Sequence, residues 1–181
     1  MKILTLLRHA KSGWNDPVAR DFDRPLNRRG RKAAKTIGQE MRNRHLGFDR
    51  VIASPAVRVV ETIEDVVDGY GRPIQPDYDE RLYLASLNTL LDVVRETDDK
   101  TERLLIVGHN PGLELLAMFL TRDDSNGLRD EVAVKYPTAT LAEIHLPIDG
   151  WADISEAVGQ LETLVRPRDL DPELGPDQEG H

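Results

Sequence analysis

Six side chains with reactive or anion-binding heads stand where apolar runs of this sequence give out. LTLLRHAKSGWN, residues 4–15, delivers Arg8 and His9, and SPAVRVVET sets Arg58 four residues after Ser54. DERLY carries Asp79 and Glu80, and LLIVGHNP ends on His109. Two guanidinium groups offer planar forks of N–H donors that match the several oxygens of a phosphate. A neutral imidazole is a competent nucleophile toward phosphorus, and an adjacent arginine keeps it neutral by raising the cost of the imidazolium. A second histidine, if it titrates higher, would stabilise charge on the transferring oxygens, and a protonated carboxylate would donate to the leaving group. A metal reading is also open, with His9, His109 and either Asp79 or Glu80 as mixed N/O ligands. Two arginines in the same place argue against it, because they compete with a cation for the same anionic ligands; no metal and no cofactor are expected.

The elements needed to bring these residues together follow from periodicity. KILTLLR (2–8), DRVIAS and ERLLIVG are short, nearly continuous apolar strands, the pattern of a sheet covered on both faces. A helix is predicted over about 27–44, capped by Asn27, with Ala34, Ile37 and Met41 on one side. A second helix follows SPAVR, with Ser54 as cap and Pro55 at its first position. A third follows Ser86, and a fourth follows Asn110 and Pro111 in the same manner. PIQPDY reads as a short edge strand, residues 121–137 as loop with a short helix, and TATLAEIHL and LETLVRP as further strands. Trp151 is expected at the edge of the core. Alternating strands and helices imply an α/β layered fold with a mostly parallel sheet. In such sheets ligands gather beyond the carboxyl ends of the strands, where His9, Arg58, Glu80 and His109 fall, with helix N-termini adding donors.

Bulk properties narrow the function. At 181 residues the chain reads as one domain over 1–165, followed by a loose, acidic, Pro/Gly-rich tail at 166–181. A formal net charge of −8 argues against nucleic acid as the main partner. Residues 1–60 nevertheless hold 14 Lys and Arg against 5 Asp and Glu, which suits an anionic ligand handled by the first third. No apolar run approaches the length of a membrane span, and MKILTLLRH lacks the cleavage pattern of a signal peptide. With no cysteine there are no disulfides and no thiol nucleophile, which fits a cytoplasmic location. A dinucleotide-binding reading fails at the first turn, since LLRHAKSG has no glycine-rich fingerprint.

Together the four motifs resemble, in order, those of the histidine phosphatase superfamily with its phosphoglycerate-mutase-like fold. LLRHAKSGWN resembles the first-histidine signature, SPAVRVVET the second-arginine motif, DERLY the acid segment and IVGHNP the second-histidine motif. The resemblance implies a three-layer αβα sandwich and a metal-independent phosphatase in which His9 becomes phosphorylated. It implies that Arg8, Arg58, His109 and Asn15 line the phosphate pocket and that Glu80 donates the proton. Lys11, Arg20 and Arg24 are further candidates for substrate contact. Ala10 stands where the family more often has glycine, a small change the loop should tolerate. Lys11 stands where it more often has glutamate, and its added positive charge weighs against mutase or fructose-bisphosphatase activity. The short interval between Arg58 and Glu80 resembles the small SixA-like branch and leaves little room for a covering insertion. The implied partner is a phosphorylated protein or, alternatively, a small phosphorylated metabolite. A silent phosphate-binding module would have lost a motif residue, and this chain retains them.

Overall fold

The computed structural model describes residues 1–13, 20–123 and 126–175. In chain order its elements are β1 (Lys2–Arg8), α1 (Arg28–Asn43), β2 (Arg50–Ala53), α2 (Val57–Tyr70) and β3 (Asp77–Tyr78). They continue with α3 (Leu87–Arg95), β4 (Arg103–Gly108), α4 (Gly112–Leu120), α5 (Leu128–Val134), β5 (Leu141–Leu146), β6 (Gln160–Val165) and the single turn α6 (Pro167–Leu170).

The six strands form one sheet in the order β3-β2-β4-β1-β5-β6. β3, β2, β4 and β1 pair in parallel, while β5 pairs antiparallel to β1 and to β6. The sheet is therefore mixed, parallel on the side that carries the motifs. The parallel half needs helical crossovers, whereas β5 and β6 are joined by a shorter connection that turns back on itself.

Strand alternation separates two cores. On one face Leu4, Leu6, Ile52, Leu104 and Ile106 pack with Leu90, Leu91, Leu113 and Leu116 of α3 and α4. Trp151 is fully buried in this same cluster. On the other face Leu7, Val51, Ala53, Leu105 and Val107 meet Ile37 and Met41 of α1 and Val59, Ile63 and Val66 of α2. Each strand residue points opposite to its neighbour, so helices on both faces follow, giving the expected αβα layers. Each fully buried leucine contributes roughly 2 kcal/mol to holding the layers together.

Local chemistry sets the element ends. Asn27 Oδ1 accepts from Gly30 N at 2.8 Å and Ser86 Oγ from Thr89 N at 3.2 Å, so both predicted caps are present. The other two helix starts differ from expectation. α2 begins at Val57 with Ala56 as cap, and α4 at Gly112 with Pro111 as cap. Ser54 lies two residues and Asn110 one residue further out. Asn110 Oδ1 still accepts from Glu114 N in the first turn of α4 at 3.2 Å, as a cap does. Ser54 Oγ accepts only from Ala56 N of the backbone, at 3.3 Å, and is reached by His109. Residues 166–175 are not loose as expected: α6 and a 3-10 turn at Pro172–Leu174 lie along α1. Arg29 Nη2 donates to Gly175 O at 2.6 Å, and Lys32 pairs with Asp171 at 3.3 Å and Glu173 at 2.9 Å. The acidic composition that suggested a solvated tail supplies the counter-charges to the basic face of α1.

Candidate active site

β1 and β4 run side by side and end together, with Arg8 opposite Gly108. His9 N then donates to Gly108 O at 3.0 Å, so the first histidine is held against the strand that delivers the second. The following loop is clamped by α1. Asn27 N donates to Lys11 O at 3.0 Å, and a Cβ added at Gly30 would stand 2.1 Å from that same oxygen. Only glycine allows this approach. From the other side Thr62 Oγ1 accepts from Ala10 N at 2.9 Å and donates to Arg58 O at 2.6 Å, linking α2 to the loop after His9.

His9, Arg58 and His109 are buried, at 8%, 3% and 4% exposure, and the two imidazole centroids lie 5.3 Å apart. The tautomers follow from the partners. His9 Nδ1 lies 2.7 Å from Ala10 O, which can only accept, so Nδ1 carries the proton and Nε2 keeps its lone pair. Burial drives the His9 pKa well below its ordinary value, and the charges of Arg8 and Arg58 act in the same direction against the Ala10 hydrogen bond. His9 therefore favours the neutral imidazole with its lone pair on Nε2.

Arg58 Nη2 lies 3.3 Å from His109 Nδ1; a guanidinium can only donate, so His109 carries its proton on Nε2 and gives it to Ser54 Oγ at 2.7 Å. Burial first, and then Arg58, hold His109 down at about 3. This corrects the idea of a second histidine that titrates high: without an anion beside it His109 is neutral, and the fixed positive charge comes from the arginines. Tyr83 packs edge-on to the His109 ring at 5.4 Å.

Asp21 organises the cations. Arg58 donates from Nη1 to Asp21 O at 2.8 Å and from Nη2 to Asp21 Oδ2 at 3.0 Å. Tyr83 OH donates to Oδ2 at 2.6 Å, and Arg24 Nη1 to Oδ1 at 2.9 Å. Partial burial alone would raise Asp21, but the hydrogen bonds from Tyr83 and Arg24, with the charge of Arg58, hold it at about 2. Arg8 differs: its Nη1 donates to Tyr136 O at 3.1 Å, and no carboxylate lies within ion-pair distance among the described residues. Asn110 Nδ2 reaches the same carbonyl at 2.9 Å.

These groups open onto a cavity of about 460 Å³ lined by Arg8, His9, Lys11, Arg24, Arg58 and His109, among others. The sequence-predicted residues divide accordingly. Lys11 and Arg24 are at the cavity, whereas Arg20 is exposed, paired with Asp23 at 3.0 Å and not part of the lining. Asn15 lies outside the described residues. Glu80 sits in a 3-10 turn, exposed and away from the lining, and Asp79 is occupied in capping that turn and pairing with Arg81 at 2.8 Å. The turn that β3 feeds aims Tyr83, not the acid, at the histidines. Among the described residues no three His, Asp or Glu side chains cluster as a metal site would require. Sequence reasoning missed Asp21, Ser54 and Tyr83 as site residues. Ser54 had been read as a cap, and Asp21 was one of several acids in a polar loop.

Comparison with known proteins agrees with this geometry. A model of the histidine phosphatase superfamily (branch 1) matches residues 4–83. An uncharacterised Mycobacterium tuberculosis protein is 32% identical over 164 residues, covering 90% of this chain and 100% of that one. A candidate phosphohistidine phosphatase, SixA, from Nakamurella multipartitia superposes with a TM-score of 0.76 at 30% identity, covering 92% of this chain and 96% of that one. The structure of a protein histidine phosphatase SixA complexed with tungstate shares the fold, with a TM-score of 0.75 at 18% identity over 93% and 99% of the two chains. No helix among the described residues is long and apolar enough to cross a membrane.

Proposed function

Because the chain belongs to the histidine phosphatase superfamily and is a phosphatase, we propose that its substrate is a protein phosphohistidine and that His9 carries the phosphoryl group between two steps. In the first step the Nε2 lone pair of His9 attacks phosphorus in line. The bond from phosphorus to the leaving nitrogen breaks, and its electron pair stays with the departing imidazole. Arg8 and Arg58 neutralise the transferring oxygens, with His109 beside them. In the second step water attacks the phosphoryl group on His9, inorganic phosphate departs and the imidazole is restored.

One observation carries the choice of substrate: no Asp or Glu lines the cavity among the described residues. An alkoxide leaving group needs a proton from the enzyme. A phosphohistidine whose ring is already protonated leaves as neutral imidazole and does not. The absence of a carboxylic acid is therefore a handicap for ordinary phosphate esters and none for phosphoramidates. The similarity to SixA proteins supports the same reading.

A small-molecule phosphomonoesterase is the second reading, favoured by a cavity whose volume of about 460 Å³ falls within the range of metabolite sites. The test is a turnover comparison of a phosphohistidine peptide with sugar phosphates, combined with acid-labile trapping of the phosphoenzyme. Preference for the peptide, with label on His9 and none in His9→Ala, is the expected result. A clear preference for sugar phosphates rejects the protein substrate, and turnover without label on His9 rejects the covalent route.

A further inference from the structure

The cavity is more cationic than a single phosphoryl group requires. Eight arginine and lysine side chains line it, and no carboxylate does among the described residues. Arg8 and Arg58 stand at His9, with Lys11 and Arg24 on the loop behind them. The other four come from distant parts of the chain: Arg29 from α1, Lys135 from the end of α5, Arg166 just before α6 and Arg168 within it. We propose that Arg29, Lys135 and Arg168 form a second anion subsite in this cavity, one that takes a phosphate or carboxylate group on the leaving portion of the substrate. The subsite rests on the phosphatase site alone and not on the protein-substrate reading.

Three observations carry it. The first is the distribution of counter-charge. Arg166 is already met by Asp169 at 3.1 Å and Glu131 at 3.5 Å, and the nearby Asp171 and Glu173 are engaged by Lys32. Arg168 and Lys135 have no carboxylate within ion-pair distance among the described residues, and Arg29 gives one N–H to a carbonyl, that of Gly175. The second is that the wall is built and not a chance of surface composition. Pro167 is buried, the turn after Arg166 is closed by a hydrogen bond from Arg166 N to Asp169 Oδ2 at 2.9 Å, and the segment is fastened to α1 through Gly175. The third is size: about 460 Å³ holds far more than one phosphoryl group, and the remainder faces these cations. Arginine forks in a partly enclosed cleft suit a multi-oxygen anion, and the enclosing walls limit its screening.

The test uses the intact chain with para-nitrophenyl phosphate as reporter and two inhibitors, methylphosphonate and propane-1,3-bisphosphonate. The expected result is that the bisphosphonate inhibits about tenfold more strongly, equivalent to about 1.4 kcal/mol, and that the advantage shrinks as salt is raised. In Arg168→Ala and in Lys135→Ala the ratio of the two inhibition constants falls to about two or less. Lys135 is exposed and Arg168 half-buried, and melting temperatures of the variants check that they fold. A ratio near one in the wild type, or a tenfold ratio kept in both variants, overturns the subsite.

Two further arms distinguish the source of the second anion. Phosphohistidine peptides with Asp/Glu or with Ser/Gly flanks are compared by KM, as are alkyl bisphosphates and alkyl monophosphates. A gain of about tenfold for acidic flanks that Arg168→Ala removes assigns the subsite to acidic peptides. The same pattern with bisphosphates assigns it to a doubly anionic metabolite, and a gain in neither overturns it. If phosphohistidine peptides are not hydrolysed while the inhibitor ratio holds, the protein-substrate reading falls and the subsite stands.

Discussion

His109 should make this protein acid-sensitive by an amount the structure fixes. The imidazole is buried beside Arg58, and its pKa lies at about 3 in the folded chain, against about 6.5 in the unfolded chain. Above pH 6.5 neither state binds the proton and the group has no linkage effect. As pH falls below 6.5 the unfolded chain takes up a proton that the folded chain refuses, so stability falls with pH until about pH 3. Between pH 7.5 and 5.0 the unfolded imidazole becomes almost fully charged while the folded one stays neutral, a loss of about 2 kcal/mol from His109 alone. His9 acts in the same direction. The variant His109→Gln keeps a donor aimed at Ser54 and cannot titrate, so comparison with the wild type isolates the one group. Urea unfolding at pH 7.5 and 5.0 should show the wild type losing about 2 kcal/mol more than the variant, or about 4–8 °C in melting temperature for a chain of this size. Asp21, held at about 2, does not begin to protonate in this window and leaves the difference intact. Equal losses in the two proteins, within about 0.5 kcal/mol, would refute the claim that burial and Arg58 keep His109 neutral.

Three other outcomes are expected. Glu80→Gln should change kcat on a phosphohistidine peptide by less than about twofold, since the side chain is exposed and does not line the cavity; a loss of a hundredfold would make it the proton donor after all. Ser54→Ala removes the acceptor of the His109 Nε2–H at 2.7 Å, leaves a buried donor unpaired, and should cost about 1–3 kcal/mol in chemical denaturation. Gly30→Ala forces a methyl group to within 2.1 Å of Lys11 O, and should destabilise by about 1–3 kcal/mol while lowering kcat through displacement of the His9 loop.

The sequence was most legible where one residue type has one physical use. Asn27 and Ser86 were readable as caps because a side-chain oxygen before an amphipathic run has little else to do there. The four strand ends were readable because Arg and His after a continuous apolar run must leave the core at the same edge of the sheet. Ser54 and Asn110 looked like the same kind of cap. Asn110 is one, its Oδ1 accepting from Glu114 N while its Nδ2 donates to the Tyr136 carbonyl, whereas Ser54 is taken by His109. Intrinsic capping preference is worth about 1 kcal/mol and yields to tertiary partners that bury more. Glu80 shows a different limit of the sequence. Sequence put it in the right turn, but which of four successive side chains faces the histidines depends on the 3-10 geometry, and that turn sets Tyr83 against His109. The role of residues 166–175 was hidden altogether, because pairing of Lys32 with Asp171 and Glu173 joins positions far apart in the chain.

The carboxylates explain how an acidic protein keeps a cationic cavity. Net charge is −8, yet the acids nearest the site stand outside the lining and grip its cations from there. Asp21 holds Arg58 and Arg24 together, and Asp169 with Glu131 holds Arg166. A guanidinium held at one edge by a carboxylate loses little rotamer freedom when an anion takes its other edge, so the ordering cost falls before substrate arrives. The same pairing sets a limit, because each carboxylate also offsets part of the charge that the anion would feel. Arg8 escapes that limit: its Nη1 bonds a neutral carbonyl, its charge has no ion-pair partner among the described residues, and it adjoins His9 in sequence. An uncompensated positive charge in the cavity therefore lies beside His9.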